Sequence, residues 1–323
     1  MPDPSPIVTV IGGSGFVGRY ITQRLARGGW RVRVACRRPN EALFVRTYGV
    51  VGQVEPVQCN IRDEASLRAV IRGADAVVNC VGVLYEKGRN RFDAVQAEGA
   101  GCAARLAAEE GARRFVQISA IGADAGSESA YARTKAAGEA AVRDAFPDAV
   151  ILRPSVVFGP GDGFFERFAA MARYIPFILP IVGGDTRFQP VWVVDVAEAA
   201  ARAAEGAAAP GIYELGGPNI YTLREAVALT LRAAHRRRLV INLPFWLARL
   251  KASVLEWLPV PPLTVDQVKL LRRDNVVSQG AKTLADLGIE PTAAEGIVES
   301  YLVPFRPHGQ YQRLEEGDGG APA

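Results

Sequence analysis

The chain has 323 residues, of which 49% are hydrophobic and 22% charged, a composition typical of a folded globular protein. The formal net charge is only +4, so the composition gives no support for nucleic-acid binding. No apolar, uncharged run reaches the roughly 18 residues that a membrane-spanning helix needs, and the first residues lack the segments of a signal peptide. We therefore expect a protein of the cytoplasm or of the cytoplasmic face of a membrane.

The four cysteines are Cys36, Cys59, Cys80 and Cys102. No two of them have the short spacing of a metal-binding knuckle or a redox dithiol, so no metal site is predicted. We expect buried thiols in a reducing compartment.

Strand and helix signals alternate through the first half of the chain. One β-rich run, Ala76–Val81, is apolar throughout, as expected for a strand that is buried on both faces. Repeated βα units with short connections predict an α/β fold of the Rossmann type, with a doubly wound parallel sheet. The other predicted strands are Ile7–Ile11, Arg31–Ala35, Val54–Cys59, Arg114–Ser119 and Ala149–Leu152, and the predicted helices are Val17–Arg27, Ser66–Ile71, Ala97–Glu110 and Tyr131–Ala145.

The pattern changes after Pro154, where prolines and glycines become frequent and strands no longer separate the helices. We predict a dinucleotide-binding domain over residues 1–157, to which elements after residue 190 return, and a small, mostly helical C-terminal domain over 158–305. Residues 306–323 are polar and acidic and are predicted to be a disordered tail. The predicted helices of this half are Val194–Ala204, Leu223–Arg236, Pro244–Leu258 and Val265–Arg272.

A glycine-rich loop lies between the first predicted strand and the first predicted helix. Its glycines follow the spacing Gly-x-x-Gly-x-x-Gly, which permits a tight turn, close approach of main-chain amides to a pyrophosphate, and close packing of helix on strand. The positive end of the helix then faces the phosphates. We expect a dinucleotide here rather than a plain structural turn. The predicted cofactor-binding residues of this loop are Gly12, Gly13, Ser14, Gly15, Phe16, Val17 and Gly18.

The second predicted strand is followed by Arg37 and Arg38, at the place where an NAD site usually has an acidic residue for the ribose 2′-hydroxyl. Guanidinium groups suit a 2′-phosphate instead, so NADPH is the predicted cofactor. The alternative is a pair of solvated arginines at a strand end. By position, Asn60 and Ile61 would flank the adenine, and Asn79 and Gly82 would line the end of the fourth strand.

Tyr131 and Lys135 form a Tyr-x-x-x-Lys pair at the start of a predicted helix, on one face of it. A nearby ammonium should lower the pKa of the phenol toward neutrality and make Tyr131 a general acid or base for a carbonyl or alcohol. Lys135 would also reach the nicotinamide ribose, and Ser119 would donate a hydrogen bond to the substrate oxygen. The alternative is an incidental surface pair.

These motifs, together with Leu152–Ser155, Phe158–Pro160 and Gln189–Ala197, resemble the extended and atypical short-chain dehydrogenase/reductase superfamily. More narrowly, the chain resembles the nucleotide-binding accessory subunits of respiratory complex I, the NADH:quinone oxidoreductase. The resemblance covers about residues 7 to 305. The segments that carry the narrower match are Tyr131–Glu139, Val142–Pro147, Ile212–Thr222, Ala233–Leu239 and Leu243–Pro259.

The resemblance implies a Rossmann domain with a small C-terminal domain, and an NADPH that is held as a structural cofactor and not turned over. It adds Pro154 to the cofactor-binding residues. It also implies other complex I subunits as partners and a peripheral place on the cytoplasmic face of the inner, respiratory membrane. The intact Tyr131 and Lys135 keep open a free NADPH-dependent reductase or epimerase, and a dinucleotide sensor outside any complex is a third hypothesis. Two departures weaken catalysis: Ser119 stands only twelve residues before Tyr131, and the fourth strand ends Cys80-Val81-Gly82 without small alanines.

The segment Leu243–Leu258 has an apolar helical stripe formed by Leu247, Leu250, Val254 and Trp257 or Leu258. Its tryptophans are typical of interfaces, and the basic run Arg236–Arg238 lies just before it. Two alternatives remain at this point: a helix that faces its own core, or a surface over residues 236–258 for lipid headgroups or a membrane subunit.

Overall fold

A computed structural model describes residues 5–258, 261–307 and 309. The described residues fall into two compact units. The first takes those within Met1–Ser155, Val193–Gly216 and Val277–Pro291, and the second takes those within Val156–Trp192, Gly217–Val276 and Thr292–Ala323. Most of the predicted tail, from 310 onward together with 308, lies outside the described residues. No helix in the described part of the chain has the length and apolarity needed to cross a membrane.

The elements follow one another in an order that alternates strands and helices as far as the sixth strand. In chain order the strands are β1 Ile7–Ile11, β2 Arg31–Cys36, β3 Val54–Gln58, β4 Ala76–Asn79, β5 Arg114–Ile118, β6 Val150–Pro154, β7 Val157–Phe158, β8 Ile178–Val182, β9 Arg187–Phe188, β10 Val191–Trp192, β11 Gly211–Leu215, β12 Tyr221–Thr222 and β13 Leu239–Leu243. The α-helices are α1 Phe16–Arg27, α2 Glu64–Ile71, α3 Gly99–Glu109, α4 Ala130–Ala145, α5 Phe165–Tyr174, α6 Val193–Glu205, α7 Leu223–Ala233, α8 Phe245–Leu255, α9 Val265–Leu270 and α10 Ala294–Tyr301. A 3-10 helix spans Pro39–Tyr48 and a π-helical turn spans Asp93–Glu98.

The first unit contains a seven-stranded sheet with the strand order β11-β6-β5-β4-β1-β2-β3, and every neighbouring pair is parallel. The predicted Rossmann-type fold is therefore confirmed. The chain runs from β1 outward to β3 on one side and then returns to β4 on the other side, so the order reverses beside β1. In open parallel sheets, ligands bind beyond the carboxyl ends of the strands at this reversal. The edge strand β3 carries Pro56. Proline lacks a backbone N–H, and this is tolerated at a sheet edge because no further strand has to pair with it there.

Helices cover both faces of this sheet. Helix α1 packs against α6 on one face. On the other face, the sheet residues Val77 and Phe115 join Leu67, Ala104 and Val142 of α2, α3 and α4 in one buried cluster. Cys36 and Cys59 are buried as predicted, whereas the prediction is wrong for Cys80 and Cys102, which are only partly buried.

The second unit is built from helices α5, α7, α8, α9 and α10 and three two-stranded sheets, β10-β7, β12-β9 and β13-β8. Phe158 and Phe165 pack with Leu229 of α7 and Val298 of α10 in a buried cluster. Capping boxes start α7 at Thr222 and α9 at Thr264. The predicted helix Leu223–Arg236 ends earlier, at Ala233, because the chain turns at His235, which has a positive φ of 51°, and then enters β13.

Candidate dinucleotide site

The glycine loop follows β1 at the point where the strand order reverses. Gly12 has a φ of +79°, and a Cβ added to it would lie 3.0 Å from the side chain of Val81. A Cβ on Gly18 would lie only 2.2 Å from the carbonyl oxygen of Gly12. Helix α1 therefore approaches the loop so closely that only glycine fits at position 18. Gly15 caps α1 without a side-chain hydrogen bond, and the first turn, with Phe16 and Val17, contains no acidic residue. The start of α1 therefore offers main-chain amides and the positive end of a helix dipole to a phosphate.

A pocket of about 520 Å³ opens beyond the carboxyl ends of β2 and β3. Two residues predicted to bind the cofactor, Arg37 and Asn60, line it. Arg38 does not line this pocket; its guanidinium forms an exposed ion pair with Glu41 at 2.9 Å. Ile61 is buried and belongs to the apolar cluster of the sheet. The complete lining is Arg37, Gln58, Cys59, Asn60, Asp63 and Ser66.

Two thiols stand near this pocket. Burial raises the pKa of the Cys59 thiol to about 11, and it raises the pKa of Cys36 as well, although Ser14 of the glycine loop forms a hydrogen bond with Cys36. Both thiols are therefore protonated at neutral pH and are not nucleophiles there.

Two further predicted residues lie at the end of β4. The Asn79 side chain is fully buried: its Nδ2 donates to Oε1 of Gln117 at 2.9 Å, and its Oδ1 accepts from the amide of Val81. A Cβ added to Gly82 would lie 3.3 Å from Nζ of Lys135, so this glycine leaves room for the lysine. Asn79 thus shapes the strand end, and its contact with a cofactor stays a prediction.

Tyr131 and Lys135 lie in the first turns of α4, which Ser129 caps by accepting a hydrogen bond from the amide of Ala132. The Lys135 ammonium lies 5.9 Å from the centroid of the Tyr131 ring and donates to the carbonyl of Ile118 at 3.4 Å. Lys135 is 6% exposed, which rules out an incidental surface pair.

The pKa direction expected for Tyr131 is wrong. Burial raises the pKa of this phenol to about 12, and burial lowers the pKa of Lys135 to about 8. Removal from water disfavours the charged form of each side chain, and it is the largest influence on both pKa values. The phenol is therefore neutral at physiological pH.

Ser119 has a partner that the sequence did not suggest. Its hydroxyl donates to Oε1 of Glu139 at 2.5 Å, and Glu139 also accepts from Nε and Nη2 of Arg153, at 2.9 and 2.6 Å. A serine has one hydroxyl proton, so Ser119 cannot donate to a substrate oxygen while it donates to Glu139. Pro154, the residue after Arg153, is buried in β6 and pairs in register with Leu215 of β11.

Sequence reasoning missed Glu139 and also Glu214, whose Oε1 lies 3.5 Å from Nη1 of Arg153. The available signal for Glu139 was its spacing of four from Lys135, which places the two residues on one face of α4. Glu214 lies in a strand that the alternation pattern did not predict.

The comparisons with known proteins agree with this architecture. The model of the NAD dependent epimerase/dehydratase family matches residues 8–216, a range that contains the glycine loop, the Tyr131–Lys135 pair and, apart from Ile7, all seven strands of the sheet. The chain belongs to this family. Among solved structures, the Thermus thermophilus UDP-glucose 4-epimerase in complex with NAD superposes with a TM-score of 0.69 at 21% identity, over 93% of this chain and 99% of that chain. This likeness supports the fold alone.

Three relatives at higher identity narrow the comparison. The mitochondrial NADH dehydrogenase [ubiquinone] 1 alpha subcomplex subunit 9 of Arabidopsis thaliana is 34% identical, over 94% of this chain and 79% of that protein. The mitochondrial NADH-ubiquinone oxidoreductase 40 kDa subunit of Neurospora crassa is 32% identical, over 94% and 80%. A ceramide reductase of Caulobacter vibrioides is 34% identical over 60% of each chain.

Proposed function

We propose that this protein is an accessory subunit of respiratory complex I that holds NADPH as a structural cofactor. The observation that carries the proposal is the extent of the likeness to the two complex I subunits, which spans 94% of this chain and about four fifths of each relative. The ceramide reductase matches a smaller part, 60% of the chain. Partnership with other complex I subunits and a peripheral place on the cytoplasmic face of a respiratory membrane follow from the same proposal.

The residues of the first unit fit a nicotinamide dinucleotide. The glycine loop and the start of α1 would hold the pyrophosphate, because their close packing leaves amides exposed to an anion. Asn60 and Ile61 would flank the adenine, and Gly82, Tyr131, Lys135 and Pro154 would surround the nicotinamide end. When bound, the dinucleotide would supply a hydride donor.

The choice of NADPH over NADH rests on Arg37 and Arg38. Arg37 lines the pocket beyond β2, and Arg38 follows it with only a surface ion pair to Glu41. A charge-assisted hydrogen bond from one guanidinium to the 2′-phosphate is worth about 1.5–3 kcal/mol, which gives roughly ten- to a hundredfold preference for NADPH.

The geometry near Tyr131 supports retention of the cofactor without turnover. Ser119 donates its hydroxyl hydrogen bond to Glu139, and the Tyr131 phenol, with its pKa raised to about 12, resists ionisation. Two of the three groups expected to act on a carbonyl are thus poorly placed for proton transfer.

Native purification tests the proposal. The tagged protein should co-migrate with a large membrane NADH dehydrogenase, and Gly15→Asp, which puts a negative charge where the pyrophosphate would lie, should abolish that association. Gly296→Asp is the matched control, because nothing lies within 4 Å of a Cβ at this helical position. A protein that runs alone in the native state, or a Gly15→Asp variant that assembles normally, would contradict the proposal.

We also propose that α8 faces a membrane surface. Most of the expected stripe is exposed, so the alternative of a helix facing its own core is wrong for these residues: Leu250 is 60% exposed, Val254 69%, and Trp257, just beyond the helix, 90%. Leu247, the first residue of the stripe, is half-buried. Trp246, which is 69% exposed, extends the stripe. On the opposite side of α8, the buried residues are two alanines, Ala248 and Ala252.

Basic side chains border this stripe. At 100° per residue, Arg249 lies on one side of it and Lys251 on the other, and both are exposed. An apolar stripe with tryptophans and basic borders suits the surface of a membrane that contains anionic lipids. Of the basic run before β13, Arg236 and Arg238 donate to main-chain carbonyls of Phe305 and Ile175, so only Arg237 remains fully directed to the surface.

Vesicle binding tests this surface. The wild-type protein should sediment with vesicles of phosphatidylcholine and phosphatidylglycerol, and Leu250→Ser with Trp257→Ser should reduce binding several-fold. Arg249→Glu with Lys251→Glu should reduce binding to these anionic vesicles but not to vesicles of phosphatidylcholine alone. Glu299→Lys, at an exposed position of α10, serves as a charge-changing control. Binding that none of the α8 variants changes would remove the idea.

A free NADPH-dependent reductase is the second candidate, favoured by the buried and adjacent Tyr131 and Lys135 and by the partial likeness to the ceramide reductase. Oxidation of NADPH by the isolated protein with a carbonyl compound, lost in Tyr131→Phe, would support it.

A further inference from the structure

Four side chains of alternating charge stand near the carboxyl ends of β5, β6 and β11 in the first unit. Lys135 lies beside β4 and β5, Glu139 follows it on α4, Arg153 lies in β6, and Glu214 lies in β11 directly opposite Arg153 in the parallel register. Their charges run positive, negative, positive, negative. All four are largely removed from water: the side chains of Glu139, Arg153 and Glu214 are 5%, 20% and 8% exposed.

Glu139 accepts more hydrogen bonds than any other side chain of this row. Its two oxygens accept three hydrogen bonds, one from Ser119 and two from Arg153, and the fork of Arg153 grips both oxygens. Glu214 is fixed separately, since its Oε2 accepts from the amide of Ser278 at 2.7 Å. A carboxylate bound in this way keeps its position.

Lys135 lies one helical turn before Glu139. The groups that face it are the Tyr131 ring and the Glu139 carboxylate from its own helix, the Ile118 carbonyl from β5, and the Cys80 thiol after β4. Burial lowers the pKa of Lys135 to about 8, and Glu139 is the largest influence that opposes this fall. The Cys80 thiol stays protonated at neutral pH, because burial raises its pKa to about 12. Glu139 is therefore the one carboxylate among these facing groups.

We propose that Glu139, held by Arg153, is the positioning residue that keeps Lys135 protonated inside the buried site, so that the ammonium remains available to the ribose of a bound dinucleotide. The same carboxylate accepts the hydrogen bond of the Ser119 hydroxyl. One residue would thus favour cofactor retention and oppose carbonyl chemistry. The role of the ammonium toward the ribose rests on the proposed function, whereas the effect of Glu139 on the charge of Lys135 does not.

The charge state of Lys135 is measured without any nucleotide. Trace acetylation with acetic anhydride across a pH series, read by mass spectrometry, gives the titration midpoint of each lysine in the intact chain. The chain has five lysines, and Lys87, Lys251, Lys269 and Lys282 serve as internal references. We expect the Lys135 midpoint to fall by about one unit or more in Glu139→Gln, because the loss of a nearby opposite charge typically shifts a pKa by about 1–3 units.

Glu214→Gln is the matched control, since it also removes a buried carboxylate from Arg153 but lies farther along the row from Lys135. Its shift should be less than half as large. If Glu139→Gln does not fold, Glu139→Gln with Arg153→Gln removes the pair together and should lower the midpoint by a smaller amount, because the loss of the more distant Arg153 cation partly offsets the loss of the carboxylate. An unchanged Lys135 midpoint in the folded Glu139 variant, or an equal shift in Glu214→Gln, would overturn the inference.

A second measurement separates this inference from the proposed function. The dissociation constant of NADPH, followed by fluorescence titration, should rise as Lys135 loses its proton, and the pH of that rise should be about one unit lower in Glu139→Gln than in the wild-type protein. Failure of the wild-type protein to bind NADPH would contradict the proposed function and leave the acetylation result to decide the role of Glu139. Binding with identical pH profiles in both proteins would contradict the positioning role.

Discussion

Lys135 serves binding at the expense of stability. Its pKa falls from 10.5 to about 8 on folding, so the folded protein holds this proton less tightly than the unfolded chain does. Below pH 8 the lysine is charged in both states and its full burial cost, about 3 kcal/mol for such a shift, opposes folding. As the pH rises from 8 toward 10.5, the folded state releases the proton first and this cost disappears.

Lys135→Met should therefore raise the free energy of unfolding at pH 7, measured without nucleotide, by about 1–3 kcal/mol. The advantage of the variant over the wild-type protein should shrink between pH 8 and pH 10, because the wild-type lysine becomes neutral. Urea unfolding at several pH values checks both statements. The same variant should bind NADPH more weakly. A Lys135→Met protein that neither gains stability nor loses affinity for NADPH would contradict this account of the residue.

Arg37 and Arg38 differ in their surroundings although they are neighbours in the sequence. Arg37→Ala should weaken NADPH binding by roughly ten- to a hundredfold and leave NADH binding nearly unchanged, because only NADPH carries the 2′-phosphate. Arg38→Ala should have a smaller effect, since its guanidinium is shared with Glu41. Calorimetric titration of both nucleotides distinguishes the two variants, and an equal loss for NADH would mean that Arg37 acts on another part of the molecule.

Two helices build the candidate site, and each depends on a close contact near its start. Helix α1 meets the glycine loop at Gly18, and α4 brings Tyr131, Lys135 and Glu139 to one face beside β5. A glycine allows the close approach of α1, and Ser129 caps the start of α4. The helical period then decides which side chains of each helix share a face.

Gly18→Ala should lower the free energy of unfolding by about 1–3 kcal/mol, because the added methyl would lie 2.2 Å from the Gly12 carbonyl oxygen and only backbone movement relieves this. Gly296→Ala is the control in an open helical position and should stabilise the protein by up to about 1 kcal/mol. Thermal unfolding of the two variants provides the comparison. Equal stability of the two would show that α1 moves freely away from the loop.

The two compact units carry different surfaces. Every residue proposed to hold the dinucleotide lies in the first unit, whereas the exposed stripe of α8 lies in the second. Variants that impair NADPH binding and variants that impair membrane binding should therefore fall into separate classes, each leaving the other property intact.

NADPH at about one hundred times its dissociation constant should stabilise the folded protein by about 2.7 kcal/mol and raise the unfolding temperature by a few degrees. NADH at the same concentration should raise it less. Hydrogen exchange should show the added protection in the first unit and little change in α8. Protection spread evenly over both units would contradict the assignment of the site.

The sequence by itself determined the α/β alternation, the parallel sheet and the glycine loop. The signals for these are local: a strand, a turn and a helix follow one another within about thirty residues, and the spacing of Gly12, Gly15 and Gly18 fits the turn between that strand and that helix. The Tyr131–Lys135 pair was predicted for the same reason, because residues four apart share a helix face.

Only the tertiary structure decided what these elements face. Ser119 and Glu139 are 20 residues apart, and their contact depends on how α4 packs against the sheet. Both glutamates meet Arg153 only because α4 and β11 lie beside β6. The period of α8 showed which residues share a stripe but not whether that stripe turns inward. Burial also decided the pKa of Tyr131, because the loss of water around a phenol depends on every neighbour and on no single spacing.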